Sequence, residues 1–273
     1  LGGEVIVSPR QRSGFFAILK LASGIFSSRM NDPVLGKLAI APQEIHVWQA
    51  DLDVQETELT QLRATLSEDE RARADRFHFE KDRRHFTAGR GFLRSLLAHY
   101  LRQKPSQLQF VYSDRGKPSL APSLNPEQLA FNISHSNGIA LYAFTRDRTI
   151  GIDLEQIRPL EDAAQLARRF FCPGEYEAMR SLPKAQQQHA FFNGWTRKEA
   201  YLKATGEGIA QLQAVEVSLL PGQPAALLRV PANTSLERWS LYELTVRSGY
   251  AAALAVEAQG LHLRYFDEIG ELF

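Results

Sequence analysis

The sequence predicts an α+β fold made of two similar halves packed together. Two observations predict it. Hydrophobic periodicity runs strand, helices, strands, and then helices and strands again. In each half a long helical pattern precedes a set of short strands. The 273 residues, 44% of them hydrophobic, supply a sizeable core in one large domain or two small ones. Identity between the halves is too faint to mark a repeat.

The elements follow in order. EIHVWQADL (44–52) alternates apolar and polar residues, as a strand does. LSEDERARADRF (66–77) opens with Ser67 and places Glu70 three residues later, a capping-box pattern that starts a helix. DRRHFTAGRGFLRSLLAHYL (82–101) carries Phe86, Leu93, Leu96, Leu97 and Tyr100 at helical spacing. Gly89 and Gly91 weaken that helix, so they point to close approach of another backbone. Residues 112–128 are rich in Pro, Ser and Gly and are predicted as loop. QLAFNIS (128–134), GIALYAF (138–144) and TIGIDLE (149–155) are predicted as an antiparallel meander. Helices are expected at 161–171, around 174–181 and from 185 to about 205, then strands at 214–219, 226–230, 238–246 and 250–256.

A net charge of +1 gives no general attraction to nucleic acid or to a membrane surface. No apolar run reaches the length of a membrane span. The single cysteine, Cys172, excludes an internal disulfide and a multi-cysteine zinc site. A reducing, cytoplasmic location is the natural expectation. Residues 1–29 carry Arg10, Arg12, Lys20 and Arg29 against Glu4 alone, with a mostly apolar run from Gly14 to Phe26. They read as an upstream extension ahead of a start at Met30, with a signal or transit peptide as the alternative.

Four stretches carry chemistry. In TIGIDLE, Ile150, Ile152 and Leu154 share one strand face, and Gly151, Asp153 and Glu155 the other. Asp153 and Glu155 stand roughly 7 Å apart along the strand. Two carboxylates so close need a positive charge between them, which a hard cation such as Mg²⁺ supplies; a solvated strand end is the plainer alternative. In WTRKEAYLK (195–203), Trp195, Glu199 and Lys203 form one helical stripe with Lys198 beside it. Trp195 is costly to leave in water, so the stripe is partly buried and its charges need partners. Glu199 is suited to a metal and Lys203 to a phosphate; lysine stems lying on a core are the alternative. In FNISHS (131–136), Asn132 and Ser134 face away from Phe131 and Ile133. Ser134 and His135 point to opposite strand faces, which unfits them as nucleophile and base but leaves both as phosphate donors. RGKP (115–118) offers Lys117 as a rigid, exposed cation before Pro118, with an ordinary turn as the plainer alternative. The basic run at 71–94 is interleaved with acids and fits a solvated helix face. No P-loop, H-E-x-x-H or G-x-S-x-G motif occurs.

Together, RGKP, FNISHS, GIDLE, WTRKEAYLK and FFCPGEY (170–176) resemble the Sfp-type 4′-phosphopantetheinyl transferases, over about residues 44–256. The resemblance implies a pseudo-twofold pair of halves, each a long helix packed on a small antiparallel sheet. The N-terminal half would run 30–149 and the C-terminal half, carrying the metal site, 150–273. It implies transfer of the phosphopantetheine arm of coenzyme A, the co-substrate, to a serine of an apo acyl or peptidyl carrier protein. It likewise implies release of adenosine 3′,5′-bisphosphate. On the matching positions, Asp153, Glu155 and Glu199 would hold Mg²⁺, or Mn²⁺ in the tube. Lys203 would touch the pyrophosphate. Ser134 and His135 would bind phosphates, Lys117 and Pro118 would border the nucleotide, and Arg73 would add a phosphate-binding base. Glu70 stands where some members carry a second lysine, which weakens a two-cation clamp there. Glu199 is the candidate base for the serine proton, and Lys203 would stabilise the leaving phosphate. A metal-dependent phosphodiesterase and a non-catalytic coenzyme A-binding protein are the competing readings. A monomer is expected, with no nucleic-acid or membrane partner, and carrier docking is placed near Glu175 to Lys184.

Overall fold

The computed structural model describes residues 38–266; the reading of residues 1–29 as an extension lies outside them. The first half comprises β1 (Glu44–Asp51), α1 (Glu56–Thr65), α2 (Glu68–Asp75), α3 (Glu80–Leu101), β2 (Phe110–Tyr112), β3 (Pro118–Leu120), β4 (Leu129–Ser136) and β5 (Ile139–Arg146). The second comprises β6 (Ile150–Gln156), α4 (Ala163–Phe170), α5 (Pro173–Ser181), α6 (Lys184–Thr205), β7 (Glu216–Val217), β8 (Leu227–Arg229), β9 (Ser240–Glu243), β10 (Tyr250–Val256) and β11 (His262–Phe266). The halves share one plan: a strand, two short helices, a 22-residue helix, a short strand pair and a longer one. Their sheets match too, with β1-β5-β4 in one and β6-β10-β9 in the other. β11 returns to the first half and lies parallel to β1.

Local chemistry sets the boundaries. α2 starts at the expected capping box, where the Ser67 N–H donates to Glu70 Oε2 at 3.1 Å. α5 starts the same way, with the Cys172 N–H on Glu175 Oε2 at 2.7 Å and Pro173 in the first turn. α6 ends at Gly206, whose φ of 74° a side chain would resist. Asn137 and Gly138, at φ 40° and 84°, make the tight turn between β4 and β5. None of the described helices is long and apolar enough to cross a membrane.

Three expectations are corrected. The meander stops after β5, because β6 pairs with β10 in the second sheet. The loop at 112–128 contains β3 and a 3-10 turn at Pro122–Leu124. The strand at 214–219 shrinks to β7, preceded by a 3-10 turn at Ile209–Ala214. α1 and β11 were not expected: α1 has little amphipathic contrast, with only Leu59 and Leu62 buried, and β11 owes its place to a distant partner.

The central core lies between the sheets, with Ile45, Val47, Ile139 and Leu141 meeting Ile150, Ile152, Leu154 and Leu254. The long helices cover the outer faces, at different distances. On the first sheet, aromatic side chains fill the gap to α3: the Tyr100 and Phe144 rings are 4.8 Å apart, and Tyr142 OH donates to Gly89 O at 3.0 Å. The close approach expected at the glycines occurs at Gly91, where an added Cβ would sit 2.7 Å from Leu62 of α1. On the second sheet small residues face the helix, Gly151, Ala253 and Ala255 against Ala200 and Ala204. A Cβ on Gly151 would lie 2.1 Å from Ala200 O. That closeness brings the last turns of α6 onto the β6 carboxylates.

Candidate active site at the junction of the halves

From Ala190 onward α6 is buried nearly all round, so its polar residues there divide according to their partners. Lys198 is fully enclosed; its Nζ pairs with Glu175 at 2.7 Å and donates to Leu212 O at 2.8 Å and to Val215 O. Arg197 donates to Ser218 O at 2.7 Å and to Glu243 Oε2 at 2.6 Å. Both tie α6 to its own half. Trp195 packs its ring against Phe170 and Phe191. Glu199 and Lys203, the rest of the stripe, turn toward β6.

There Lys203 Nζ donates to Asp153 Oδ1 at 2.6 Å and to Ser134 Oγ at 2.9 Å. Ser134 Oγ in turn donates to Asp153 Oδ1 at 3.0 Å. Asp153 is buried, and its Oδ2 has no partner; neither has Glu199 Oε1. Burial, then the charges of Asp153 and Glu155, push Glu199 up to about 7, against the pull of Lys203. Burial and Asp153 also raise Glu155 above the usual carboxylate range, although Ser136 donates to its Oε2 at 3.1 Å. Lys203 pairs with Asp153 alone, while Glu155 and Glu199 feel its charge without a bond to it, Glu155 together with that of Arg158.

Among the described residues, no group of three or more His, Cys, Asp and Glu side chains stands ready-formed to hold a metal ion. Lys203 occupies the Asp153 oxygen that a cation would compete for. The residues nevertheless fit a hard divalent cation on three counts. Their donors are carboxylate oxygens, two of these oxygens are buried and unpaired, and their negative charge exceeds the local positive charge.

The remaining expected residues lie around this centre. His135 lies at the strand end with part of its ring open to solvent, and its pKa is lowered first by partial burial and then by the neighbouring Lys203 and His85. Lys117 is not the exposed cation expected. Its Nζ crosses from the first half to the end of α6 and donates to Lys203 O at 2.6 Å, Ala204 O at 3.0 Å and Ile150 O at 3.2 Å. Burial lowers its pKa to about 8, while the helix-end carbonyls favour the charged form. Arg115 adds a bond to Gly206 O at 3.3 Å, so the whole RGKP turn clasps the helix end. Pro118 opens β3 beside it. Arg73 is exposed on α2 with its guanidinium 5.2 Å from the Phe86 ring, and no described contact joins it to the carboxylates. Glu70 is buried against Arg94 at 2.5 Å and Arg90 at 3.4 Å.

Two features escaped the sequence reading. His85, paired with Asp53 at 2.8 Å, stands near His135; nothing in its helical context marks it. Ser136 completes a polar row with Asn132 and Ser134 on one face of β4. That period-two row was a readable signal that this face meets polar groups.

Comparisons with known proteins place the chain in a family. Residues 149–255 match the model of the 4′-phosphopantetheinyl transferase superfamily, and residues 48–146 match that of the 4′-phosphopantetheinyl transferase N-terminal region. The chain is 49% identical to 4′-phosphopantetheinyl transferase HetI of Nostoc sp. over 229 residues, covering 84% of this chain and 94% of that protein. It is 29% identical to 4′-phosphopantetheinyl transferase Sfp of Bacillus subtilis, over 59% of this chain and 69% of Sfp. It is 35% identical to 4′-phosphopantetheinyl transferase AcpT of Escherichia coli, over 45% and 60% of the two chains. With both halves matched and a relative aligned over nearly its whole length, the chain belongs to the 4′-phosphopantetheinyl transferase superfamily and is a transferase of that kind.

Proposed function

We propose that the junction site moves the 4′-phosphopantetheine arm of coenzyme A onto a serine of an apo acyl or peptidyl carrier protein, with Asp153, Glu155 and Glu199 holding Mg²⁺. Adenosine 3′,5′-bisphosphate leaves. The observation that carries the reading is the pairing of Asp153 with Lys203 at 2.6 Å beside Glu155 and Glu199, with buried, unpaired oxygens on Asp153 and Glu199. When bound, the cation draws negative charge from the pyrophosphate and orients it. Lys203 stabilises the charge that grows on the leaving phosphate, and Ser134 and Asp153 hold its ammonium in place beforehand. Glu199 takes the proton of the carrier serine; its pKa of about 7 belongs to the cation-free site, and its two roles as ligand and base compete. His135, Arg73 and Ser134 bind the phosphates of coenzyme A, the first two as exposed donors. Pro118 and Lys117 border the nucleotide, Lys117 through the shape of its turn since its ammonium is occupied. The N-terminal half is assigned to 30–149 and the C-terminal half to 150–273, in a cytoplasmic monomer.

The test is the intact mass of an apo acyl carrier protein incubated with this protein, coenzyme A and Mg²⁺. The expected result is a gain of one phosphopantetheine, lost with EDTA and in Asp153→Ala. Full activity in Asp153→Ala removes the metal assignment. Breakdown of coenzyme A without any carrier replaces transfer by hydrolysis.

A further inference from the structure

The free edge of β6 meets the first half through side chains. Three residues of β4, two apart, each accept one backbone N–H from it. Asn132 Oδ1 takes Ile152 at 2.9 Å, Ser134 Oγ takes Leu154 at 3.2 Å, and Ser136 Oγ takes Gln156 at 3.1 Å. Having accepted, each serine still has a proton to give. Ser134 gives it to Asp153 Oδ1 at 3.0 Å and Ser136 gives it to Glu155 Oε2 at 3.1 Å. Asn132 makes its rung without a described bond to a carboxylate.

Ser136 matters more than Ser134 for its own carboxylate. Asp153 is buried and also held by Lys203, so Ser134 is one of two restraints. Glu155 is longer, half-buried and repelled by Asp153, and Ser136 is its only described hydrogen-bond donor. Without that hydroxyl, a glutamate with three rotatable bonds is free to swing toward solvent. We propose that Ser136 is a positioning residue that fixes Glu155 for a divalent cation, so that one hydroxyl serves both cation affinity and one rung of the seam between the halves. The inference rests on the reading of Asp153, Glu155 and Glu199 as cation ligands.

The test measures Mn²⁺ binding by electron paramagnetic resonance to the full chain saturated with coenzyme A, beside thermal midpoints without cation. Ser136→Ala and Asn132→Ala each remove one rung, so both lower the midpoint. Only Ser136→Ala is expected to weaken Mn²⁺, by about tenfold, the usual effect of losing a group that orients a ligand. Its Mg²⁺ requirement for transfer should rise in parallel. Ser136→Thr, which keeps the hydroxyl, should restore both and covers the case of a poorly folding alanine variant. Wild-type Mn²⁺ affinity in Ser136→Ala overturns the proposal, as does an equal loss in Asn132→Ala. A wild-type protein that transfers without any divalent cation overturns the ligand reading beneath it, which is a separate result.

Discussion

Asp153 Oδ1 is held by Lys203 and Ser134 while Oδ2 faces no donor, and Glu199 Oε1 is in the same position. Such half-paired carboxylates cost stability until a cation arrives. Glu199 shows the sign. Its carboxyl is pushed from 4.5 up to about 7 by burial and by its acidic neighbours. Below its unfolded value both states are protonated, and the fold pays nothing. As pH rises from there toward about 7 the unfolded chain ionises while the folded carboxyl holds its proton, so stability falls, and above about 7 the loss is complete. In cation-free buffer Glu199→Gln should therefore melt several degrees higher than wild type at pH 8, on the order of 2–3 kcal/mol. The gap should close toward pH 5. A variant no more stable than wild type at pH 8 would contradict the assigned strain. The same variant should have lost transfer, so gain of stability and loss of function would travel together.

At the level of elements, α6 is placed by what β6 lacks. A methyl on Gly151 would sit 2.1 Å from Ala200 O and 2.4 Å from Ala204 N, both backbone atoms that cannot rotate aside. Gly151→Ala should lower the melting temperature, by about 1–3 kcal/mol of overpacking. It should also slow transfer by about a hundredfold, because Glu199 and Lys203 move with the helix. Wild-type rates in a folded Gly151→Ala protein would show that the helix position is not critical. The carboxylates and Lys203 were legible because strand and helix periods place them on defined faces. The 22-residue helices and the capping box at Ser67 were legible for the same local reasons. What local patterns do not contain is partnership. Lys117 looks like a loop cation until three carbonyls from another half surround it. β6 looks like the third strand of a meander until β10, a hundred residues on in roughly the sense of a long-range pairing, claims it.

For the molecule as a whole, the closing contact is made far from the carboxylates. β11 lays itself beside β1, and Phe266 stacks on Trp48 with centroids 4.2 Å apart. Beneath it runs a buried chain of polar groups. Trp48 Nε1 donates to Tyr100 OH at 2.8 Å, and that hydroxyl meets His46 Nδ1 at 2.8 Å. His46 Nε2 faces Glu44 Oε2 at 3.3 Å, with Arg264 close to the same carboxylate. Burial, outweighing Glu44, lowers the His46 pKa below 6.5. Above about 6.5 the imidazole is neutral in both states and its contribution is intact. As pH falls through the lowered folded value, the unfolded chain takes a proton that the folded one resists, and stability drains away. The melting temperature of His46→Gln should fall less steeply than that of wild type between pH 7 and pH 5, whatever its value at pH 7. Parallel slopes for the two proteins would exclude His46 as a source of acid sensitivity.

The rungs between β4 and β6 have a consequence for descent. A ladder of main-chain bonds is blind to sequence, since any residue but proline can extend it. Here the seam is spelled out in side chains, Asn132, Ser134 and Ser136. Whether one ancestor's first half can be spliced to another's second half then depends on those alternate letters as well as on the apolar core and the Lys117 turn that join the same halves.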